Sequence, residues 1–449
     1  MDLNVLVVGG GIHGVGLLHD LATRKIEGLH LVEQAQLASG TSSRTTKLVH
    51  GGLRYLEHPA QWALVREALR ERALLLRNLP GLVSPLRIVL PNFKGGRPAW
   101  LVRLGLALYD QLAREGGLLK ARRLTKAEVA QMAPYLRRER LEQEVGSGFL
   151  YYDAQMLDDV IVRVAAQAAT RLGATYAEHT QVEEVAPDGE GFRIRLASPQ
   201  GGQVVRSRVV VNATGAWANA NLLKWGVNPR VPCLLNVGSH LLFRPEAVDA
   251  QPEDCAATLL QHDDGRVLFF IPWQGHWLLG TTESLLEGTP DRWECPPGDR
   301  EYLLHVAARN LTLIDPTRHT REFFCGIRTI PLSKRGARLR ERSVPDAWRD
   351  QPFASPWYIR KVDRDVSSLS REAVVDEVAR NLITIYGGKF TTYRSLCEQI
   401  GNRVATRLSC SVPSGTLLKR NWFLEELKQA EPELFRSDPR LRQQCASDS

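Results

Sequence analysis

Residues 3–16 read LNVLVVGGGIHGVG, and this stretch decides the fold. An apolar run of β-branched and leucine side chains, Leu3 to Val8, predicts a strand buried on both faces. It stops at a glycine cluster, and leucines and alanines at helical spacing follow from about Gly14 to Arg24. A second short strand, Leu29 to Glu33, completes a βαβ unit. Gly9, Gly11 and Gly14 satisfy G-x-G-x-x-G, in which the first glycine allows the tight turn. The second lets the backbone approach a pyrophosphate, and the third lets the helix pack closely. Glu33 stands nineteen residues past Gly14, at the end of the next strand, where a carboxylate binds ribose hydroxyls and disfavours a 2′-phosphate. Strand, turn, helix and acid in this order predict a dinucleotide site.

Outward from that unit, the chain does not repeat it, as a nicotinamide-nucleotide domain would. Instead residues 41–56, TSSRTTKLVHGGLRYL, carry three cationic side chains, several hydroxyls and no carboxylate. Two distant segments, Val209–Gly215 and Ile383–Gly388, look like further walls of one nucleotide site. A site of separated segments suits an extended ligand such as FAD. The expected fold class is therefore α/β (α+β overall), with a Rossmann-like FAD-binding domain made of discontinuous segments and a β-rich substrate domain. Residues 1–90, 146–220 and 325–405 are assigned to the first, and 91–145 and 221–324 to the second. Residues 59–79 predict an amphipathic helix, 97–145 a basic helical region and 155–172 a helix. Residues 182–215 predict a β-meander, and 333–361 a basic insertion, ahead of a tail at 406–449.

The chain has 449 residues, a net charge of +8 and a pI of about 9.2, which favours anionic partners. No aromatic–basic repeat or nucleic-acid module accompanies the charge, so phosphates of small molecules and an anionic membrane surface are expected instead. The seven cysteines are scattered and odd in number, so reduced thiols in a cytoplasmic setting are expected and no metal site is. No segment approaches the ~20 apolar residues that cross a bilayer.

The blocks TSSRTTKLVHGGLRYLE, RPAWLVRLGLALYD (97–110), NATGAW (212–217), GSH (238–240) and YGGKFTTYR (386–394) together resemble the FAD-dependent glycerol-3-phosphate dehydrogenases, within the D-amino-acid-oxidase-like flavoproteins. The resemblance implies FAD as cofactor, oxidation of sn-glycerol 3-phosphate to dihydroxyacetone phosphate, and transfer of electrons to a quinone-type acceptor. It also implies a place on the inner face of the cytoplasmic membrane as a peripheral protein. By the same resemblance His240 is the expected base, and Arg328 faces the flavin ring and the substrate oxygen. Arg54, Tyr55, Arg364 and Lys389 would hold the substrate and its phosphate. Thr41, Ser42, Ser43 and Lys47 become pyrophosphate and ribityl donors, with His50 near the flavin ring and Gly51 and Gly52 passing close to it. Val182 would meet the adenine, and Ala213, Gly215, Gly387, Gly388 and Thr391 would complete the cofactor walls.

Three departures stand out. The family's G-x-R-P reads Gly-Ile-Arg328-Thr-Ile-Pro, and its GTTD reads Gly280-Thr-Thr-Glu283. The helical C-terminal domain usual in the family is expected to be missing, or kept only as the 414–449 remnant. The alternatives are a flavoenzyme acting on another phosphorylated or carboxylated alcohol or an amine, and a flavin-binding relative without turnover.

Overall fold

In the computed structural model, the structure describes residues 2–113, 117–262, 266–286, 290–291, 294–332, 358–359, 372–416, 427–428 and 431–432. Two sheets organise these residues. In the first, the path runs Val374–Ala379, Leu382–Tyr386, Gly201–Asn212, Asp2–Val8, Leu29–Val32, Thr175–Ala177. All neighbours after the first pair are parallel. The strand that ends at Asn212 thus lies beside the opening strand, and Leu382–Tyr386 lies next to it on the same side. Along Asp2–Val8, alternate side chains enter different cores. Val5 and Val7 pack with the helices Ile12–Thr23, Asp158–Arg171 and Tyr393–Arg407. Leu6 and Val8 instead meet Val182, Val185 and Ile194 of an antiparallel hairpin laid over the other face. A stretch with both faces covered has no use for polar residues, which is why Val5 to Val8 reads as an unbroken apolar run.

The second sheet has eleven strands and is mostly antiparallel. It includes Val83–Phe93, Val145–Met156, Cys233–Phe243 and Thr320–Pro331, so residues 83–90, 146–156 and 325–331, assigned to the nucleotide-binding segments from sequence, lie in the other sheet. The helix expected at 59–79 spans Trp62–Asn78 and buries Val65, Ala68, Leu69 and Leu75 on one face. The region expected to be helical between 97 and 145, with breaks at Gly116-Gly117 and Pro134, is divided into three helices, and the break at Pro134 falls between two of them. Helices Ala99–Leu112, Lys126–Met132 and Arg138–Glu144 leave room for a strand, Arg122–Leu124, paired with Val145–Met156. Its three residues carry too little periodicity to register as a strand in isolation.

Two buried ion pairs tie distant segments together. Arg394 grips Glu71 through two hydrogen bonds of 2.8 and 2.6 Å, joining the last helix of the nucleotide-binding part to Trp62–Asn78. Arg72 pairs with Asp153 beneath the loop at residues 50–52. The expectation of reduced thiols fails at one place: Cys295 and Cys325 form a disulfide, with Cα atoms 5.6 Å apart. Their 30-residue separation left the pairing invisible in sequence. No helix among the described residues is long and apolar enough to cross a membrane. The basic insertion at 333–361 lies outside the described residues except for 358–359.

Candidate active site

A cavity of about 1180 Å³ runs between the two sheets, and the glycine motif forms one end of it. Gly9 sits at φ +113°, and a Cβ there would lie 2.7 Å from the Ala213 carbonyl oxygen. At Gly14 a Cβ would come within 1.9 Å of the Gly9 carbonyl oxygen, so Gly14 serves helix packing and does not itself line the cavity. The helix Ile12–Thr23 begins at Gly11 with no side-chain cap and no acidic residue in its first turn. Its positive end faces the cavity, with the Glu33 carboxylate on the adjoining Gly10 amide. Glu33 lines the same end, where its carboxylate accepts the Gly10 amide at 2.6 Å and the Ala35 amide at 2.9 Å. These bonds anchor Glu33 beside the motif. They are compatible with ribose binding, since a carboxylate has further lone pairs to offer.

Most of the remaining predicted residues converge on this cavity. Thr41, Ser42, His50, Gly52, Val182, Ala213, Gly215, Gly387, Gly388 and Thr391 lie on its walls. Ser42 Oγ accepts the Ile12 amide at 2.9 Å and Thr41 donates to the Ile327 carbonyl at 2.6 Å, so each is held from two directions. Arg54, Tyr55, Arg328 and Lys389 line it as well. The Lys389 ammonium sits 4.1 Å from the centre of the Tyr55 ring. Arg328 donates to Thr281 Oγ1 at 2.9 Å and pairs with Glu283 at 3.5 Å.

Several predicted residues stand elsewhere. His240 is buried one layer behind the wall, stacked on Phe324 with ring centres 5.0 Å apart, and reaches the cavity only through the Thr46 hydroxyl, 2.9 Å from Nε2. Burial and the cations Arg328 and Lys47 push its pKa well below the ordinary value, so it is neutral at working pH. Lys47 does not line the cavity. Its ammonium is buried against Asp158, at 2.8 and 3.0 Å, and donates to the Ser43 carbonyl at 2.6 Å. Ser43 turns its hydroxyl to the Gly40 carbonyl, and Gly51 gives its amide to Tyr109; neither lines the cavity. Arg364 lies outside the described residues.

Sequence reasoning passed over Arg44, Thr46, Tyr151, Asp153, Trp217, Thr281 and Glu283, all of them on the wall. Thr46 stood inside the quoted basic block and Trp217 inside NATGAW, so proximity could have flagged both. Asp153 follows two tyrosines in an apolar strand, where a lone carboxylate was the available signal.

The residues present suit a flavin dinucleotide. The glycine turn leaves room for a pyrophosphate, a helix N-terminus faces it, and cationic side chains share the same wall. Residues 4–350 match the model of the FAD dependent oxidoreductase family. The chain is 34% identical to glycerol-3-phosphate dehydrogenase of Pseudomonas aeruginosa, over 88% of this chain and 70% of that protein. It is 33% identical to D-erythritol 1-phosphate dehydrogenase of Brucella abortus, over 88% and 72%. The solved glycerol-3-phosphate dehydrogenase of Bacillus halodurans, complexed with FAD, superposes with a TM-score of 0.68 at 24% identity, covering 93% of this chain and 67% of that one.

Proposed function

From the premise that this chain belongs to the FAD dependent oxidoreductase family, as an FAD-dependent dehydrogenase of the glycerol-3-phosphate dehydrogenase type, we propose that its substrate is sn-glycerol 3-phosphate. The observation that carries the reading is that Arg54, Lys389 and Arg328 all stand on the cavity wall, with the Lys389 ammonium over the Tyr55 ring. A phosphate dianion there would be met by charge-assisted hydrogen bonds. FAD, when bound, supplies the acceptor for the hydride leaving C2 of the substrate. The chain's own tasks are to clamp the phosphate, to take the hydroxyl proton and to hold the oxygen as its bond to C2 becomes double. Of the two imidazoles that the sequence singled out, His50 stands on the wall and His240 does not, so we take His50 as the proton acceptor. Arg328, held by Thr281, suits the developing charge on oxygen.

A second reading takes a longer polyol phosphate, which the similar identity to an erythritol phosphate dehydrogenase favours. For the electron acceptor we propose a membrane quinone. The helix Ala99–Leu112 supports this by exposing Trp100 (67%), Leu101 (42%) and Leu104 (60%) beside Arg97 and Arg103.

The test is anaerobic mixing of the holoenzyme with glycerol 3-phosphate or erythritol phosphate while flavin absorbance is followed. Bleaching by glycerol 3-phosphate at the lower concentration is expected. Arg54→Ala should raise the half-saturating concentration by about ten- to a hundredfold, the loss of one charged hydrogen-bond donor. A flavin that stays oxidised with both compounds ends the reading, and preference for the longer substrate installs the second.

A further inference from the structure

The block at residues 97–110 has Tyr109 as its last residue but one, and nothing in the proposed chemistry uses that residue. Tyr109 is fully buried, yet its hydroxyl is committed on both sides. It donates to Asp153 at 2.8 Å and accepts the Gly51 amide at 2.8 Å. Asp153 is in turn held by Arg72, which also donates to the Tyr152 carbonyl at 3.1 Å. An ionised carboxylate can only accept, so the Tyr109 proton must point to Asp153, and the phenolic lone pair is left for the Gly51 N–H. The order Arg72, Asp153, Tyr109, Gly51 therefore has one direction.

Burying an ion pair and two phenols is expensive, and apolar residues of the same volume would often serve stability as well or better. What this arrangement supplies is a fixed peptide plane between His50 and Gly51. Because the peptide is planar and trans, an N–H aimed at Tyr109 turns the His50 carbonyl to the other side. Gly51 has no room for a side chain: a Cβ would stand 2.5 Å from Leu69 and 2.7 Å from the Tyr109 hydroxyl. The residues on either side of Gly51, His50 and Gly52, both line the cavity, and Arg54 follows two residues later.

We propose that Tyr109, oriented by the buried Asp153–Arg72 pair, is a positioning residue that sets the His50–Gly52 loop in the active site. The assignment of the loop to the active site rests on the function proposed above. The hydrogen bond itself does not. Tyr109→Phe keeps the ring and removes only the hydroxyl. It should bind FAD stoichiometrically and be reduced by dithionite as the wild type is, with flavin reduction by glycerol 3-phosphate slowed about tenfold or more at saturating substrate. The pH profile of that reduction should shift as well, because the His50 imidazole is carried by the same loop. Tyr109→Phe with wild-type rate, half-saturation and pH profile would overturn the proposal. If this variant does not fold, hydrogen exchange of the peptide covering residues 48–53 in the wild-type holoenzyme decides. A slowly exchanging Gly51 amide supports the assignment, and exchange at the unprotected rate overturns it. A wild type that glycerol 3-phosphate does not reduce ends the functional reading alone, since the exchange result stands without it.

Discussion

His13 occupies the fifth position of the glycine motif, where any small or apolar residue would satisfy the pattern. In the structure it lies on the cavity wall against Gly388, and burial takes its pKa from the ordinary 6.5 to about 4, against a weaker upward pull from a hydrogen bond to the Lys389 backbone. Its Nε2 has no partner among the described residues. His240 is displaced in the same direction. Both imidazoles stay neutral in the fold and become charged in the unfolded chain below about pH 6.5. Stability is thus complete above that pH and falls as pH drops towards 4, where His13 protonates in the fold too. For His13 alone the difference is at most about 3 kcal/mol. His13→Asn should flatten the decline in Tm between pH 6.5 and 4.5, measured on the holoenzyme. An unaltered slope would show that His13 does not titrate as its surroundings imply. The sequence marked this residue only as an unnamed position in a motif, because its neighbours Gly388 and Lys389 come from the far end of the chain.

Among elements, the segment from Thr41 to His50 shows how far a linear reading reaches. Its hydroxyls and imidazole were placed on the cavity from sequence, and Thr41, Ser42 and His50 are there. Lys47 went the other way for a definite reason. The helix Asp158–Arg171 begins with a carboxylate that is fully buried and also accepts from the Thr45 amide and hydroxyl. A buried carboxylate demands a cation, and Lys47 is the one that answers it, 111 residues away in sequence. Lys47→Met should cost about 3–5 kcal/mol in urea denaturation with the m-value unchanged, because Asp158 would be left charged and unpaired. Were Lys47 a cofactor donor, the same substitution would weaken FAD binding and leave stability almost intact.

The chain carries a net charge of +8, and among the described residues the outer face of Ala99–Leu112 is a conspicuous apolar feature. Trp100 and Leu104 are one helical turn apart and point the same way. Wild-type protein is expected to sediment with vesicles containing anionic lipid and to be released by salt. The double variant Trp100→Asp/Leu104→Asp should lose most of that binding, several-fold or more, while its flavin is still reduced in solution. Equal sedimentation of the two proteins would assign the helix face to something other than a membrane.

The sequence by itself determined the opening βαβ unit, the apolar strand buried on both sides and the glycine turn, since these depend on neighbours within about thirty residues. It also determined that separated segments build one cavity, because the motifs ATG and YGGK have the composition of nucleotide walls. Only the tertiary structure decided which of the basic and polar residues face that cavity. Lys47, His240 and Tyr109 look no different in sequence from Arg54 or His50, yet each is turned away by a partner on another element: Asp158, Phe324 with Thr46, and Asp153. The physical reason is that burying a charge or a polar group is tolerable only beside its complement, and the complement is supplied by the fold.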